Sequence, residues 1–539
     1  MTGQGTNPAR RVPFPLYDDD DDAEPASPRR PWTSTPTALP SDHFLAQRPV
    51  SPDLARHTAG PDTSSLAAAD FDVSVETGFL PPQEPIQSVA HLAGGWAEME
   101  HCLADLATAV DRVPGGGVGK LGDALRRAVE QLPAVDCARL ATLPLLRRAH
   151  TLVAHLAHYY MHSSFPSQTV VPAALAVPLV YTSDKLGIPP VLTYADTVLW
   201  VWKLVDPAKP LRADNVDITT NFTRSPSERA FFLLSLLCEL KGPAILRLMS
   251  STLDETFFAD RVARARIGTY LDSIATLIDE LTTLMRDAVR GEFGPPGNRH
   301  SIVPSVFYWE IRPWFNGGKW VYERAGPDGR DVEMEWGGPS AGQSSLVHAI
   351  DLFLGVDHSP RPSPKTTTTT TTTTARGGGL SDSTFMQRMS TYMPHHHRSF
   401  LRHLVSIHSP SSSSSSAPAL PSVRALAQTY PAEVGPSYDR AVSAMKRFRD
   451  AHIILATHFI VAQARHAPAA DSVHYAEWET KRVAAELARR ERERDRTTTT
   501  TAAAAAAVVV GTGGTDLSSF LKLCRDRTKE ALLVPPTPR

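Results

Sequence analysis

Apolar residues recur at steps of three and four through most of this chain, and that period, rather than the two-residue alternation of strands, limits what it can fold into. The spacing predicts helices over 91–113, 119–132, 143–161, 194–203, 229–249, 263–289, 345–354 and 517–529. One start is explicit: Ser225-Pro226-Ser227-Glu228 offers a Ser N-cap, a proline in the first turn and a glutamate reaching back. The segment that follows is apolar nearly all round as far as Lys241-Gly242-Pro243, which marks a buried helix. Strands are expected only at 169–171 and 332–336, both short. Alternating βα units are absent, so a doubly wound sheet is rejected and the fold class expected is all-α, mainly helical.

Low-complexity stretches interrupt this pattern. Residues 1–70 are rich in Pro, Ser and Asp, including the run Asp18 to Asp22, and read as a disordered tail. Homopolymers at Thr366 to Thr374, Ser411 to Ser416 and Thr497 to Ala507 carry no packing code and read as surface insertions, near 358–380, 408–418 and 466–510. Lys+Arg number 55 against 57 Asp+Glu, a net charge of -2 that gives no general attraction to nucleic acid or acidic membranes. The longest mainly apolar run, 230–238, is too short to span a bilayer. Cys102, Cys137, Cys238 and Cys524 have no zinc spacing and read as reduced thiols. With no apolar leader in Met1 to Pro15, a cytoplasmic protein is expected.

Several residues carry chemistry. Met445, Phe448, His452, Leu455 and Phe459 share one helical stripe, and an imidazole among apolar side chains needs a partner for its nitrogens. Two readings stay open for His452: a core histidine bonded to a carbonyl, or an axial ligand to the iron of a flat apolar cofactor. His150, His155, His158 and His162 lie along one helical segment without a third metal ligand or an H-E-x-x-H pattern, and read as surface or interhelix histidines. His395-His396-His397 reads as an exposed cluster. Gly338-Pro339-Ser340-Ala341-Gly342 matches the nucleophile-elbow pattern of serine hydrolases, but the parallel sheet that motif needs is missing, and a ligand-lining turn is the alternative. Gly511-Thr512-Gly513-Gly514 lacks the Lys of a phosphate loop and suits either a strip of backbone donors folding over a ligand or a plain linker. Arg312, embedded in Phe307-Tyr308-Trp309-Glu310-Ile311-Arg312-Pro313-Trp314-Phe315, suits fork-like binding of a carboxylate or a structural ion pair.

Taken in order, the segments 186–196, Phe231 to Leu237, Phe307 to Arg312, Ser340-Ala341-Gly342-Gln343-Ser344-Ser345, Tyr392-Met393-Pro394, Arg449 to His452 and Gly511 to Leu517 resemble the indoleamine 2,3-dioxygenase family, and the tracts between helices suggest a fungal member. The resemblance implies a small N-terminal domain, 71–222, capping a larger helical domain, 223–539, with haem b between them. It implies an enzyme that opens the indole ring of L-tryptophan with O2 to give N-formylkynurenine, the first step of the kynurenine pathway toward NAD biosynthesis, using an external reductant and acting as a monomer. A non-catalytic or weakly active haem or indole-binding protein is the alternative, and a hydrolase using Ser340 a more distant one. By residue, the resemblance implies His452 as proximal iron ligand, supported by Arg449 and Asp351. It implies Tyr194, Thr197, Val198, Phe231, Ser235 and Phe307 around the indole, Arg312 on the substrate carboxylate, Thr512 near its ammonium, and Ser340 and Ala341 beside the haem edge. No general base is expected, since Ser235 stands where the tetrameric tryptophan dioxygenases place a histidine. The chain departs from the pattern at Pro339, which reads as an insertion, and at Thr197, a Cys in some relatives.

Overall fold

The helical period is realised as a mainly helical molecule with five short strands among the described residues. The computed structural model describes residues 66–74, 76–111, 122–162, 167–359, 384–408, 420–468, scattered positions between 475 and 487, and 517–533. Residues 1–65 with their acidic run, the homopolymer tracts and the 511–516 glycine loop lie outside the described residues, whereas Leu66, Ala67 and Ala68, at the end of the expected tail, are buried. In chain order the elements are α1 (Trp96–Asp111), α2 (Gly122–Glu130), α3 (Leu143–His162), β1 (Val170–Val171), α4 (Ala173–Leu186), β2 (Trp202–Leu204), β3 (Val216–Ile218), α5 (Pro226–Glu239), α6 (Gly242–Phe258), α7 (Arg261–Arg290), β4 (Gly318–Tyr322), β5 (Val332–Trp336), α8 (Ser345–Leu354), α9 (Phe385–Ser390), α10 (His395–Ser406), α11 (Val423–Thr429), α12 (Gly435–Ala456) and α13 (Leu517–Glu530). None of the described helices is long and apolar enough to cross a membrane.

Local chemistry explains most boundaries. Ser225 caps α5 by accepting from the Ser227 N–H at 3.2 Å. Glu228 reaches past the cap: its carboxylate accepts from the Phe222 and Thr223 amides at 2.8 and 2.6 Å, pinning the entry loop. The predicted helix 229–249 is two helices, because Lys241-Gly242-Pro243 ends one and opens the next, with proline in its first turn. The predicted helix 194–203 is instead one π-helical turn, Ala195–Leu199, followed by β2. Helix α4, which contains Pro178, was not expected; it stops at Gly187, whose φ of 65° only glycine adopts freely. The Val332–Trp336 strand is present. It pairs antiparallel with β4, which pairs parallel with β1; β2 and β3 form a separate hairpin.

The buried apolar residues form two clusters. One joins α1, α3, α4, the 195–199 turn, α5, the Phe293–Met334 region and Phe459. The other joins α6, α7, α8, α10 and α12. Within it α7 presents Ile267, Leu271, Ile274, Ile278 and Leu281 at steps of four and three, and α12 packs along that stripe more extensively than any other helix pair. Arg440 bonds Asp272 and Arg447 bonds Asp279, each at 2.7 Å, so the two helices run parallel in a fixed register. Those pairs are well exposed and contribute more to register than to stability.

The four α3 histidines are buried rather than on the surface. His158 donates from Nδ1 to the Trp314 carbonyl at 2.8 Å and accepts the Leu192 N–H on Nε2 at 3.1 Å. His162 donates to the Asn316 carbonyl at 2.7 Å. They fasten the long 300–316 excursion to α3, the interhelix role foreseen for them. The 395–397 cluster corrects an expectation: it opens α10, and His397 is fully buried against the Phe79 ring at 5.1 Å. Phe79 and its neighbours provide apolar cover there that the local sequence does not reveal.

Candidate active site

Helix α12 passes from one core to the other. Met445 and Phe448 are buried in the second cluster, while Leu455 and Phe459 pack into the first. His452 lies between them on the same stripe, half-buried. Among the described residues no hydrogen-bond partner is found for either ring nitrogen. Burial, and then the neighbouring Arg449 cation, lower its pKa to about 4, so the imidazole is neutral with a free lone pair at neutral pH. One turn earlier Arg449 forms a buried ion pair with Asp351 of α8 and donates to the Thr528 hydroxyl of α13. Burial alone would raise the Asp351 carboxyl, but Arg449 and a 2.9 Å bond from His358 overcome it and hold it at about 2. The three helices around His452 are therefore fastened by one charge network, in which the buried Asp351 Oδ1 has no hydrogen-bond partner among the described residues.

Facing elements converge through three π-helical turns: Ala195–Leu199, Phe307–Ile311 and Thr457–Val461. Such turns insert an extra residue into a helix and are enriched at functional sites. The first two both pack on α5, and the second packs on the third. Tyr194, Thr197 and Val198 are buried on or beside the first turn. Phe231 and Ser235, one helical turn apart, share the half-buried stripe of α5. The Phe231 ring lies 4.5 Å from Phe307, which stands 6.0 Å from Phe459. Phe315 adds a stacked ring 6.0 Å from Phe231. An aromatic chain thus links α5 to the turn that follows His452. Arg312 is half-buried with its guanidinium 5.5 Å from the Tyr308 ring, and desolvation lowers its pKa from the ordinary value, as expected of a cation withdrawn from water.

The 337–345 loop closes another side. Gly338 lies so near the Phe315 carbonyl that any Cβ would collide with it, which accounts for the glycine. Gln343 donates to the Gly338 carbonyl at 2.9 Å and accepts the Tyr194 N–H at 2.8 Å, tying loop to turn. The Ser340 hydroxyl accepts from the Gly342 amide at 3.2 Å, which makes it a cap of the short Ala341–Gln343 turn. No imidazole bonds to it among the described residues, and the strand before it edges a small mixed sheet, so the elbow match lacks its machinery. Ala341 is exposed, at the rim. Thr512 lies outside the described residues. Sequence reading missed Phe315, Gln343, Ser344 and Glu239 as members of this site; each acts through partners tens to hundreds of residues away, which no local pattern reports.

Together these features define a class: a mainly helical protein with an aromatic-walled site and, on a rigidly braced helix, a neutral histidine with no hydrogen-bond partner among the described residues. The donor set fits haem iron, which takes one neutral imidazole against an apolar face. Comparison with known proteins narrows the class. The indoleamine 2,3-dioxygenase family model matches residues 67–531. The chain is 28% identical to an indoleamine 2,3-dioxygenase of Aspergillus candidus over 421 residues, 75% of this chain and 91% of that protein. It is 28% identical to that of Saccharomyces cerevisiae over 471 residues, covering 85% and 92%. It is 25% identical to a 6-hydroxytryptophan 2,3-dioxygenase of Fusarium equiseti over 471 residues, covering 86% and 97%. The chain belongs to the indoleamine 2,3-dioxygenase family, haem-iron-dependent dioxygenases that act on indole substrates.

Proposed function

We propose that this protein opens the indole ring of L-tryptophan with O2 to give N-formylkynurenine, drawing on an external reductant and serving the kynurenine route toward NAD. The observation that carries the reading is His452, neutral and without a hydrogen-bond partner among the described residues, one helical turn after an Arg449 that is ion-paired with Asp351. When bound, haem supplies the activation of dioxygen; the protein supplies position and dryness. His452 offers its lone pair as the proximal ligand. Arg449 and Asp351 hold the helix beneath it. Tyr194, Thr197, Val198, Phe231, Ser235 and Phe307 enclose the indole, and Arg312 takes the substrate carboxylate in a charge-assisted fork. Ser340 and Ala341 border the haem edge, and Thr512 serves the substrate ammonium. No residue is assigned as general base. We further propose a cytoplasmic monomer in which residues 71–222 cap the 223–539 portion.

A hydroxylated tryptophan is the second reading, favoured by the Fusarium equiseti relative that acts on 6-hydroxytryptophan. The purified haem protein with reductant, O2 and each amino acid decides between them: formation of an N-formylkynurenine-type absorbance from tryptophan supports the first, and product from the hydroxylated substrate alone supports the second. No product from either leaves a haem or indole carrier and removes the enzyme. Arg312→Ala is expected to keep the Soret band and lose on the order of 2–4 kcal/mol of transition-state binding. Unchanged kcat/KM would remove Arg312 from the site.

A further inference from the structure

Glu239, the last residue of α5, is fully buried beside this site. Its Oε1 accepts two hydroxyl bonds, from Tyr194 at 2.9 Å and from Ser344 at 2.7 Å. Its Oε2 is equally buried and has no hydrogen-bond partner among the described residues. A carboxyl held this way is costly, because one oxygen has left water and gained nothing in return. The two hydroxyls it joins belong to different parts of the site: Tyr194 begins the substrate-side turn, and Ser344 ends the loop that carries Ser340 and Ala341. Gln343 ties the same two parts through the Tyr194 amide, so turn and loop are joined by both a backbone and a side-chain link.

We propose that Glu239 is the positioning residue of the site: one oxygen shared by the Tyr194 and Ser344 hydroxyls fixes the substrate-facing turn against the 337–345 loop, and its ionisation tightens that hold. The proposal rests on the functional reading above, in which the turn faces the indole and the loop borders the haem. The ionised carboxylate is the stronger acceptor for both hydroxyls; the neutral acid relaxes them. Burial pushes the carboxyl up to about 7, with the Ser344 and Tyr194 bonds opposing. The titratable groups around it are Cys238 on its own helix, pushed by burial up to about 12, and Tyr194 on the turn, raised well above the usual phenol. On the loop side it meets the uncharged Ser344. Glu239 is therefore the group of this set that changes charge near neutrality.

The test is equilibrium binding of L-tryptophan to the ferric haem protein, followed by perturbation of the Soret band at matched haem loading, at pH values of about 6 and about 8. Wild type is expected to bind about threefold more tightly at the higher pH, and Glu239→Gln, which keeps an acceptor but cannot ionise, to lose that dependence. Glu239→Leu is expected to bind about tenfold more weakly, Tyr194→Phe to lose part of that, and the double variant to be no weaker than Glu239→Leu alone. Wild-type affinity in Glu239→Leu, or a pH dependence that survives in Glu239→Gln, overturns the positioning role and leaves the functional reading intact. If the leucine variant does not fold, the glutamine variant and Tyr194→Phe carry the same decision. A wild-type protein whose spectrum does not respond to tryptophan overturns the functional reading, and this role with it.

Discussion

Helices α3 and α12 both bury histidines on apolar faces, yet the two sets are held in opposite ways. On α3, His150 donates to Asp196 at 2.8 Å and accepts from Ser183 at 3.1 Å, and His158 and His162 bond the backbone of a distant segment. His155 donates to the Thr151 carbonyl at 2.8 Å and stacks on Phe222 at 4.8 Å, while its buried Nε2 has no hydrogen-bond partner among the described residues. On α12, His452 has an equivalent stripe position and no such partner among the described residues, while Arg449 one turn away bonds Asp351 and Thr528. Position on an apolar stripe therefore does not by itself distinguish a proposed ligand from a staple. What separates His452 from the α3 histidines is that neither of its ring nitrogens has a hydrogen-bond partner among the described residues, whereas each α3 histidine has at least one engaged.

The contrast makes predictions. The largest effect is expected at His452→Ala: haem affinity falls at least about a hundredfold, the cost of losing a metal–imidazole bond, with helical content retained. A Soret band of normal intensity in that variant would dissolve the difference between the helices. The second effect is collective. Burial is the leading cause that lowers the pKa values of His155, His158 and His162, to about 4, about 3 and about 4. The unfolded chain takes up protons below about pH 6.5, the native state only near 4 and below, so stability is lost as pH falls through that window. Unfolding free energies from urea denaturation should drop by up to roughly 1.4 kcal/mol per pH unit for each histidine, and His162→Gln should remove one such share. A free energy flat from neutrality to pH 4 contradicts the buried-neutral description.

Smaller effects refine the picture. His158→Leu strands the Trp314 carbonyl and the Leu192 N–H, at about 2–3 kcal/mol of stability, and is expected to leave haem content unchanged. Haem loss there without destabilisation would make α3 a ligand helix instead. Ser183→Ala removes one neutral bond to His150, about 1 kcal/mol by thermal denaturation. Ser183, His150 and Asp196 are arranged like a hydrolytic triad, but all three are fully buried, with Thr151 and Thr193 also bonded to the carboxylate. An esterase activity lost in the alanine variant would show that this arrangement reacts rather than supports.

The Ser225 start, the α7 and α8 spans and the Val332–Trp336 strand were legible because each depends on neighbours within a few residues: a cap, a period of three to four, a run of β-formers. The π turns were not, since an extra residue in a helix is paid for by tertiary packing and leaves no local mark; residues 194–203 read as plain helix for that reason. Nor could His397 be seen as buried, because Phe79, more than three hundred residues earlier, is what covers it.

The order of residues alone determined the mainly helical class, the faces that turn inward and the stripe on which His452 stands, because periodicity and capping are short-range. Which histidine keeps its nitrogens free, which oxygen joins Tyr194 to Ser344, and where α12 passes from one core to the other were decided only by the folded molecule. Those outcomes depend on which distant groups arrive within bonding distance, and a chain acquires such neighbours only by folding.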